Sequence, residues 1–166
     1  VRSGVMAARA PIIGTLDGDG QNDPADLPRL LARLTRPEAP ANLGMVAGHR
    51  TKRQDSWSKR TASRIANAIR QGALKDGAAD SGSGVKVFKR GAFLQLPYFD
   101  HMHRFMPALM LREGYAVEFL EVNHRQRSAG RSKYTNLGRL AANMTDLWGV
   151  MWLRSRARLP GGTDEL

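Results

Sequence analysis

The sequence contains no cysteine, no long apolar run and few aromatic residues. Without cysteine, neither a disulfide framework nor a thiolate metal site can form, and the redox compartment is left open. No run of about 18 or more apolar residues is present, so the sequence predicts no membrane-spanning helix. Aromatic residues make up 7% of the chain and are not interleaved with basic residues, as the stacking platforms of nucleic-acid-binding proteins would be.

Acidic residues are also scarce relative to basic ones. The 166 residues include 26 Lys and Arg against 15 Asp and Glu, which gives a net charge of +11. Such a charge favours a polyanionic partner, which is a nucleic acid, an anionic membrane surface or a phosphorylated substrate. Hydrophobic residues make up 42%, enough for the core of one domain or of part of a larger one.

The most informative motif is Asp17-Gly18-Asp19-Gly20. The apolar run 10–16 before it predicts a buried strand, and Asp23 and Pro24 after it predict the N-cap and first residue of a helix. Ligands of open α/β sheets bind at the carboxyl ends of strands, where these two carboxylates would lie. Carboxylates spaced in this way can hold a hard divalent cation. A solvated turn is the alternative, whereas an EF-hand is excluded because its Gly and Glu positions do not match.

The remaining pattern alternates strands and helices. The sequence predicts helices over 26–36, 56–70 and 136–159, a further helix ending near 114, and strands over 43–48, 85–88 and 115–122. In the last strand, Val117 and Phe119 would share one face and Glu118 the other. A strand, a helix and a strand with short connectors are typical of a right-handed βαβ unit. The predicted fold is therefore α/β, with a mostly parallel sheet flanked by helices.

Two basic segments follow the last predicted strand. The loop 124–134 carries five basic side chains and no acid, which suits a phosphate clamp or a disordered basic loop. The helix 136–159 combines Trp148 and Trp152 with a terminal arginine cluster. That combination is typical of a helix on a membrane interface, and packing against another part of the protein is the competing explanation.

Five motifs in this order resemble the inverting family-2 glycosyltransferases of GT-A fold, near the dolichol- and polyprenyl-phosphate sugar synthases. The resemblance covers residues 1–158. The matching segments are Leu16 to Pro24 (an Asp-x-Asp box), Gly48-His49-Arg50, Asp80 to Lys86, His103 to Pro107 and His124 to Tyr134.

This resemblance implies a role for several individual residues. Asp17 and Asp19 would bind a divalent metal (Mg²⁺ or Mn²⁺) and the diphosphate of a nucleotide-sugar, with Gln21 near the donor. Asp80 would be the catalytic base. The remaining implied residues are basic or belong to the loop: Arg50 and Arg64 for the acceptor phosphate, Arg127 for the donor diphosphate, and Arg131, Ser132 and Lys133 in the loop.

The resemblance also predicts the organisation of the chain and its partners. Residues 1–135 would be the C-terminal portion of a GT-A domain, 136–160 an amphipathic membrane-interface helix, and 161–166 a tail. The family's first strands would be missing, so the chain is expected to be N-terminally truncated and incomplete alone. The expected partners are a nucleotide-sugar, a lipid phosphate, an anionic membrane surface and possible further copies of the chain, at the cytoplasmic face of a membrane.

Two other functions remain open. A basic nucleic-acid-binding module would suit the net charge, although no RNA-recognition, KH or zinc-finger signature is present and no nucleic-acid partner is expected. A catalytically inactive GT-A-like interaction domain would keep the fold without the activity.

Overall fold

A computed structural model describes residues 1–50, 70–78, 82–123 and 136–157, with side chains from residue 144 onward in the last range. The helices are α1 (Arg2–Ala7), α2 (Asp26–Thr35), α3 (70–74), α4 (Arg90–Leu94), α5 (Met106–Arg112) and α6 (Asn136–Ser155), with a 3₁₀ turn at Met102–Arg104. The strands are β1 (Ile12–Thr15), β2 (Leu43–Arg50), β3 (Lys86–Lys89) and β4 (Ala116–Val122).

The four strands form one mixed sheet in the order β1-β3-β2-β4. β2 and β4 pair in parallel, whereas β3 is antiparallel to both of its neighbours. The predicted α/β architecture is confirmed, and three of the four strands share one direction. β3 runs in the opposite direction because it begins at the edge of the sheet where β2 ends. The sequence did not predict this reversal, because a short apolar run does not indicate the direction of its strand.

Each face of the sheet buries its own apolar cluster. The α5 face packs α1, α4, α5 and α6 against Met45 and Phe88, with Leu109 and Met110 of α5 fully buried. The α2 face packs Leu30 and Leu34 of α2 against Val46 and Val87, which neighbour Met45 and Phe88 in β2 and β3. This alternation follows from the two-residue repeat of a strand, in which successive side chains point to opposite faces.

The start of α2 corrects one prediction. The helix begins at Asp26 with Ala25 as its N-cap, later than the predicted cap and first position at Asp23 and Pro24. Asp23 Oδ1 instead accepts a hydrogen bond from the Ala25 amide at 3.1 Å. A short aspartate side chain bonds readily to the backbone two residues on, so it forms a turn that precedes the helix.

Other predicted elements agree closely with the structure. β4 places Val117 and Phe119 against the α5-face cluster, and Glu118 points to the α2 face, where it meets Arg33 and Arg36. Within the described ranges, no helix is both long enough and apolar enough to cross a membrane. Of the predicted helix 56–70, only residue 70 lies within those ranges, and it is the first described residue of α3.

Candidate active site at one edge of the sheet

The carboxyl ends of β1, β2 and β4 meet the start of β3 at one edge of the sheet, which we call the carboxyl edge. Thr15 pairs with Lys86 across β1 and β3, and Arg50 pairs with Val122 across β2 and β4. Asp17 and Asp19 follow β1 directly. The structure therefore brings the two predicted acids and Arg50 to one edge, with Arg50 as the last residue of β2 rather than beyond it.

Asp17 lies against the turn that precedes β3. A Cβ atom at position 84 would lie 2.6 Å from Asp17 Oδ1 and closer still to the rest of the carboxylate, so any larger residue there would displace the Asp17 side chain. Asp17 is exposed, and no hydrogen bond or ion pair to its carboxylate is recorded in the part of the chain that the structure describes. Gly84 thus holds the carboxylate beside the backbone and leaves it open toward solvent.

Two hydrogen bonds fix the turn at Gly84. The Thr15 hydroxyl donates to the Gly84 carbonyl at 2.9 Å, which joins the end of β1 to the turn. The Lys86 ammonium, although its residue is only 6% exposed, donates to the Ser83 carbonyl. The position of Asp17 is therefore set by the pairing of β1 with β3 and not by its own loop alone.

The loop after Asp17 is closed by its own side chains. Asp19 Oδ1 accepts a hydrogen bond from the backbone N–H of Gln21 at 3.1 Å. Gly20, between these two residues, adopts a positive φ of 76°. That φ favours glycine, since a side chain would be strained there. Gln21, predicted to lie near the donor, is in this loop beside Asp19.

The side chains available as metal ligands decide whether the carboxyl edge can hold a metal ion. Among the described residues, no group of three His, Asp or Glu side chains is placed to hold a metal ion. Mg²⁺, however, is commonly held by one or two protein carboxylates and completes its coordination with phosphate oxygens and water. Asp17 and Asp19 fit that pattern, in which the substrate supplies the remaining ligands.

A buried ion pair lies on the α5 face of the sheet, beside the entry to α5. Arg70 Nη2 lies 2.5 Å from Asp76 Oδ2, and Nη1 lies 3.3 Å from Oδ1. The predictions included neither residue in the site. A basic helix face gives no sign that one of its arginines is buried, and the sequence gives no sign that it meets Asp76.

Electrostatics at the 3₁₀ turn favour a neutral His103. Loss of hydration lowers the pKa of His103 most, followed by the positive charges of Arg104, Lys86 and His101 and of the amino terminus. The side chain remains exposed overall, which tempers the effect of these charges. Positive charge is therefore concentrated where the 3₁₀ turn meets the sheet.

Six predicted site residues lie outside the described ranges. They are Asp80, Arg64, Arg127, Arg131, Ser132 and Lys133. Their assigned roles therefore remain predictions from the sequence. The described turn at Gly84 does follow Asp80 closely in the chain.

Comparison with known proteins identifies the family. Residues 1–96 match the sequence family described as glycosyl transferase family 2. The chain belongs to this family. The resemblance read from the sequence motifs is thereby confirmed.

Two similar proteins have names that refer to polyprenyl phosphates. This glycosyltransferase chain is 32% identical over 165 residues to a dodecaprenyl-phosphate galacturonate synthase of Rhizobium johnstonii, covering 97% of the chain and 47% of that protein. It is 31% identical over 137 residues to an undecaprenyl-phosphate 4-deoxy-4-formamido-L-arabinose transferase of Proteus mirabilis, covering 82% of the chain and 40% of that protein. The glycosyltransferase chain thus spans less than half the length of these relatives.

A solved structure shows the same fold. Glucosyl-3-phosphoglycerate synthase from Mycobacterium tuberculosis, crystallised with Mg²⁺ and uridine diphosphate, superposes with a TM-score of 0.62 at 16% identity. The match covers 96% of the glycosyltransferase chain and 53% of that protein. The same enzyme has also been crystallised with Mn²⁺, uridine diphosphate and phosphoglyceric acid. At this identity the likeness supports the fold, and the predicted GT-A architecture is confirmed.

Proposed function

We propose that this chain supplies the metal and diphosphate part of a glycosyltransferase that moves a sugar from a nucleotide-sugar to a polyprenyl phosphate. The observation that carries the proposal is the convergence of Asp17, Asp19 and Arg50 on the carboxyl edge of a family 2 domain. The polyprenyl-phosphate acceptor is inferred from the names of both relatives.

The two aspartates would hold the donor end of the reaction. Asp17 presents an open carboxylate beside Gly84, and Asp19 is oriented by the Gln21 amide. A bound Mg²⁺ or Mn²⁺ would neutralise charge that develops on the departing diphosphate. Gln21 would contact the donor, and Arg127 would add a guanidinium to the diphosphate because arginine binds phosphate through two parallel hydrogen bonds.

The acceptor would approach from the side of Arg50. Arg50 and Arg64 would bind its phosphate, and Arg131, Ser132 and Lys133 would close over the site. A phosphate oxygen forms a bond to the anomeric carbon while the bond from that carbon to the diphosphate oxygen breaks. The bonding electron pair leaves with the nucleoside diphosphate, and the configuration inverts. Asp80 would remove the proton of a singly protonated acceptor phosphate.

The surface of α6 supports a peripheral position at the cytoplasmic face of a membrane. Trp148 and Trp152 are 67% and 60% exposed, and Met144 and Met151 lie exposed beside them. Tryptophan is enriched at membrane interfaces, and basic side chains are attracted to anionic lipids. The net charge of +11 adds to that attraction. Self-association of the chain remains a prediction that no contact in this structure tests.

The donor half of the proposal is tested by titrating the full-length protein with uridine diphosphate, with and without Mn²⁺, in a calorimeter. We expect metal-dependent binding that Asp17→Asn or Asp19→Asn weakens by about tenfold or more, because each removes a carboxylate ligand. Asp23→Asn is the matched control, since asparagine can still accept the Ala25 amide and the change lies in the same loop. Equal affinity in all four proteins would contradict the assignment.

A further inference from the structure

The Arg70–Asp76 pair is buried far more deeply than a surface salt bridge. The Arg70 side chain is 10% exposed and that of Asp76 is fully buried. Within the described ranges, Arg70 Nε is buried without a hydrogen-bond partner. Such pairs repay little net stability, since their loss of hydration offsets their attraction. Stability alone therefore does not account for the pair.

The pair joins two segments that are distant in sequence. Arg70 Nη1 donates to the Ala78 carbonyl at 3.3 Å, and Nη2 reaches the Arg104 carbonyl at 3.5 Å. Its guanidinium carbon lies 5.8 Å from the centre of the Phe105 ring. One planar guanidinium thus fixes both the segment after α3 and the entry to α5.

Asp76 fixes the same segment from the other side. Its Oδ1 accepts the Ala78 amide at 3.1 Å, while both carboxylate oxygens bind Arg70. Gly77 between them has φ of 70°, and a Cβ there would lie 3.4 Å from the Phe119 ring of β4. Residues 76–78 are therefore held as a tight turn against the sheet.

We propose that Arg70 and Asp76 are positioning residues that set where the chain enters the carboxyl edge. In the sequence, Asp80 follows Ala78 by two positions, and the turn at Gly84 that contacts Asp17 comes shortly after. The pair fixes residues 76–78 on one side of Asp80, and Thr15 and Lys86 fix residues 83 and 84 on the other. This inference rests on the proposed function, in which Asp80 is the base.

The molecule contains a matched control pair. Arg36 binds Glu118 through two hydrogen bonds of 2.7 and 3.0 Å on the α2 face, with both side chains about one-fifth exposed. It has the same chemistry as Arg70–Asp76 but contacts neither segment of the carboxyl edge in the described ranges. Comparing variants of the two pairs therefore distinguishes the effect of losing any ion pair from the effect of losing the positioning role.

The test compares Arg70→Lys, Asp76→Asn and the neutral double variant R70M/D76N with R36M/E118Q in the full-length protein. Asparagine keeps the acceptor for the Ala78 amide, and the double variant leaves no buried charge unpaired. We expect the first three to lower kcat by about tenfold or more while the Kd of uridine diphosphate with Mn²⁺ changes by less than about threefold. R36M/E118Q should leave both constants unchanged.

Amide hydrogen exchange provides a readout that does not depend on transfer. Exchange in residues 76–78 and 82–84 should accelerate by about tenfold in R70M/D76N and stay unchanged in R36M/E118Q. Unchanged exchange in R70M/D76N would overturn the proposal whether or not the protein transfers a sugar. Full recovery of kcat in R70M/D76N would also overturn it, because a merely structural pair is replaceable by neutral residues. If the wild type transfers no sugar, the proposed function fails, whereas accelerated exchange would still support the anchoring of residues 76–78.

Discussion

The two faces of the sheet each carry an arginine–carboxylate pair, and the pairs differ in burial and in what they hold. On the α5 face, Arg70 and Asp76 are buried and bind the backbone of two separate segments. On the α2 face, Arg36 and Glu118 are partly exposed and join α2 to β4. The α5 pair lies beside the entry to α5, whereas the α2 pair includes a residue in the middle of β4.

The difference shows that similar ion pairs can serve different purposes within one small domain. An exposed pair is screened by water and adds little to stability. A buried pair is costly to break, because the partner that remains would keep an uncompensated charge. The buried pair also bonds the backbone at Ala78 and Arg104, which is the basis of the positioning role proposed for it.

The largest expected effect comes from removing one partner of each pair. Asp76→Leu should lower the free energy of unfolding by about 3–5 kcal/mol, because Arg70 would remain charged and buried. Glu118→Leu should cost much less, since its partners Arg33 and Arg36 can turn toward water. Chemical unfolding of the full-length protein measures both. Similar losses from the two variants would remove the contrast between the faces.

An intermediate effect, on metal-dependent binding, is expected at Gly84 in the turn that precedes β3. Gly84→Ala should displace the Asp17 carboxylate and weaken Mn²⁺-dependent binding of uridine diphosphate by about tenfold, since a Cβ overlaps it. Gly91→Ala in α4 is the control, because no neighbouring atom lies within 4 Å of its new Cβ. Calorimetric titration distinguishes the two, and normal binding by Gly84→Ala would show that Asp17 is not held there.

The smallest effect is a difference in acid sensitivity between the faces. The Arg36 hydrogen bond lowers the pKa of Glu118 below its ordinary 4.5, and lost hydration lowers that of His103 below 6.5. In both cases the unfolded chain takes up the proton first, so stability is present above the ordinary pKa and is lost as the pH falls. Loss between pH 6.5 and 4.5 should therefore come from His103 in the 3₁₀ turn, and loss below pH 4.5 from Glu118 on the α2 face.

Unfolding midpoints recorded at intervals from pH 7.5 to 3.5 check this separation. His103→Gln should flatten the upper part of the profile and leave the part below the ordinary pKa of Glu118 unchanged. Glu118→Gln should do the reverse. A profile that neither variant alters would mean that other groups govern the acid response.

Local patterns were sufficient for much of the fold. The apolar runs located β1, β2, β3 and β4, and the leucine repeat located α2 to within a residue of its end. The Asp-x-Asp box and its accompanying motifs gave the family. Strand direction could not be predicted in this way, because the reversal of β3 depends on which edge the chain has reached. The helix cap predicted at Asp23 was wrong, since Asp23 bonds within the turn that precedes α2.

The sequence by itself determined the elements, the family and the two acids at the end of β1, because each depends on residues close together in the chain. Tertiary structure alone decided that Gly84 makes room for Asp17 and that Arg70 reaches Asp76, Ala78 and Arg104. Those contacts depend on strand pairing and burial, which bring together residues that no local pattern relates.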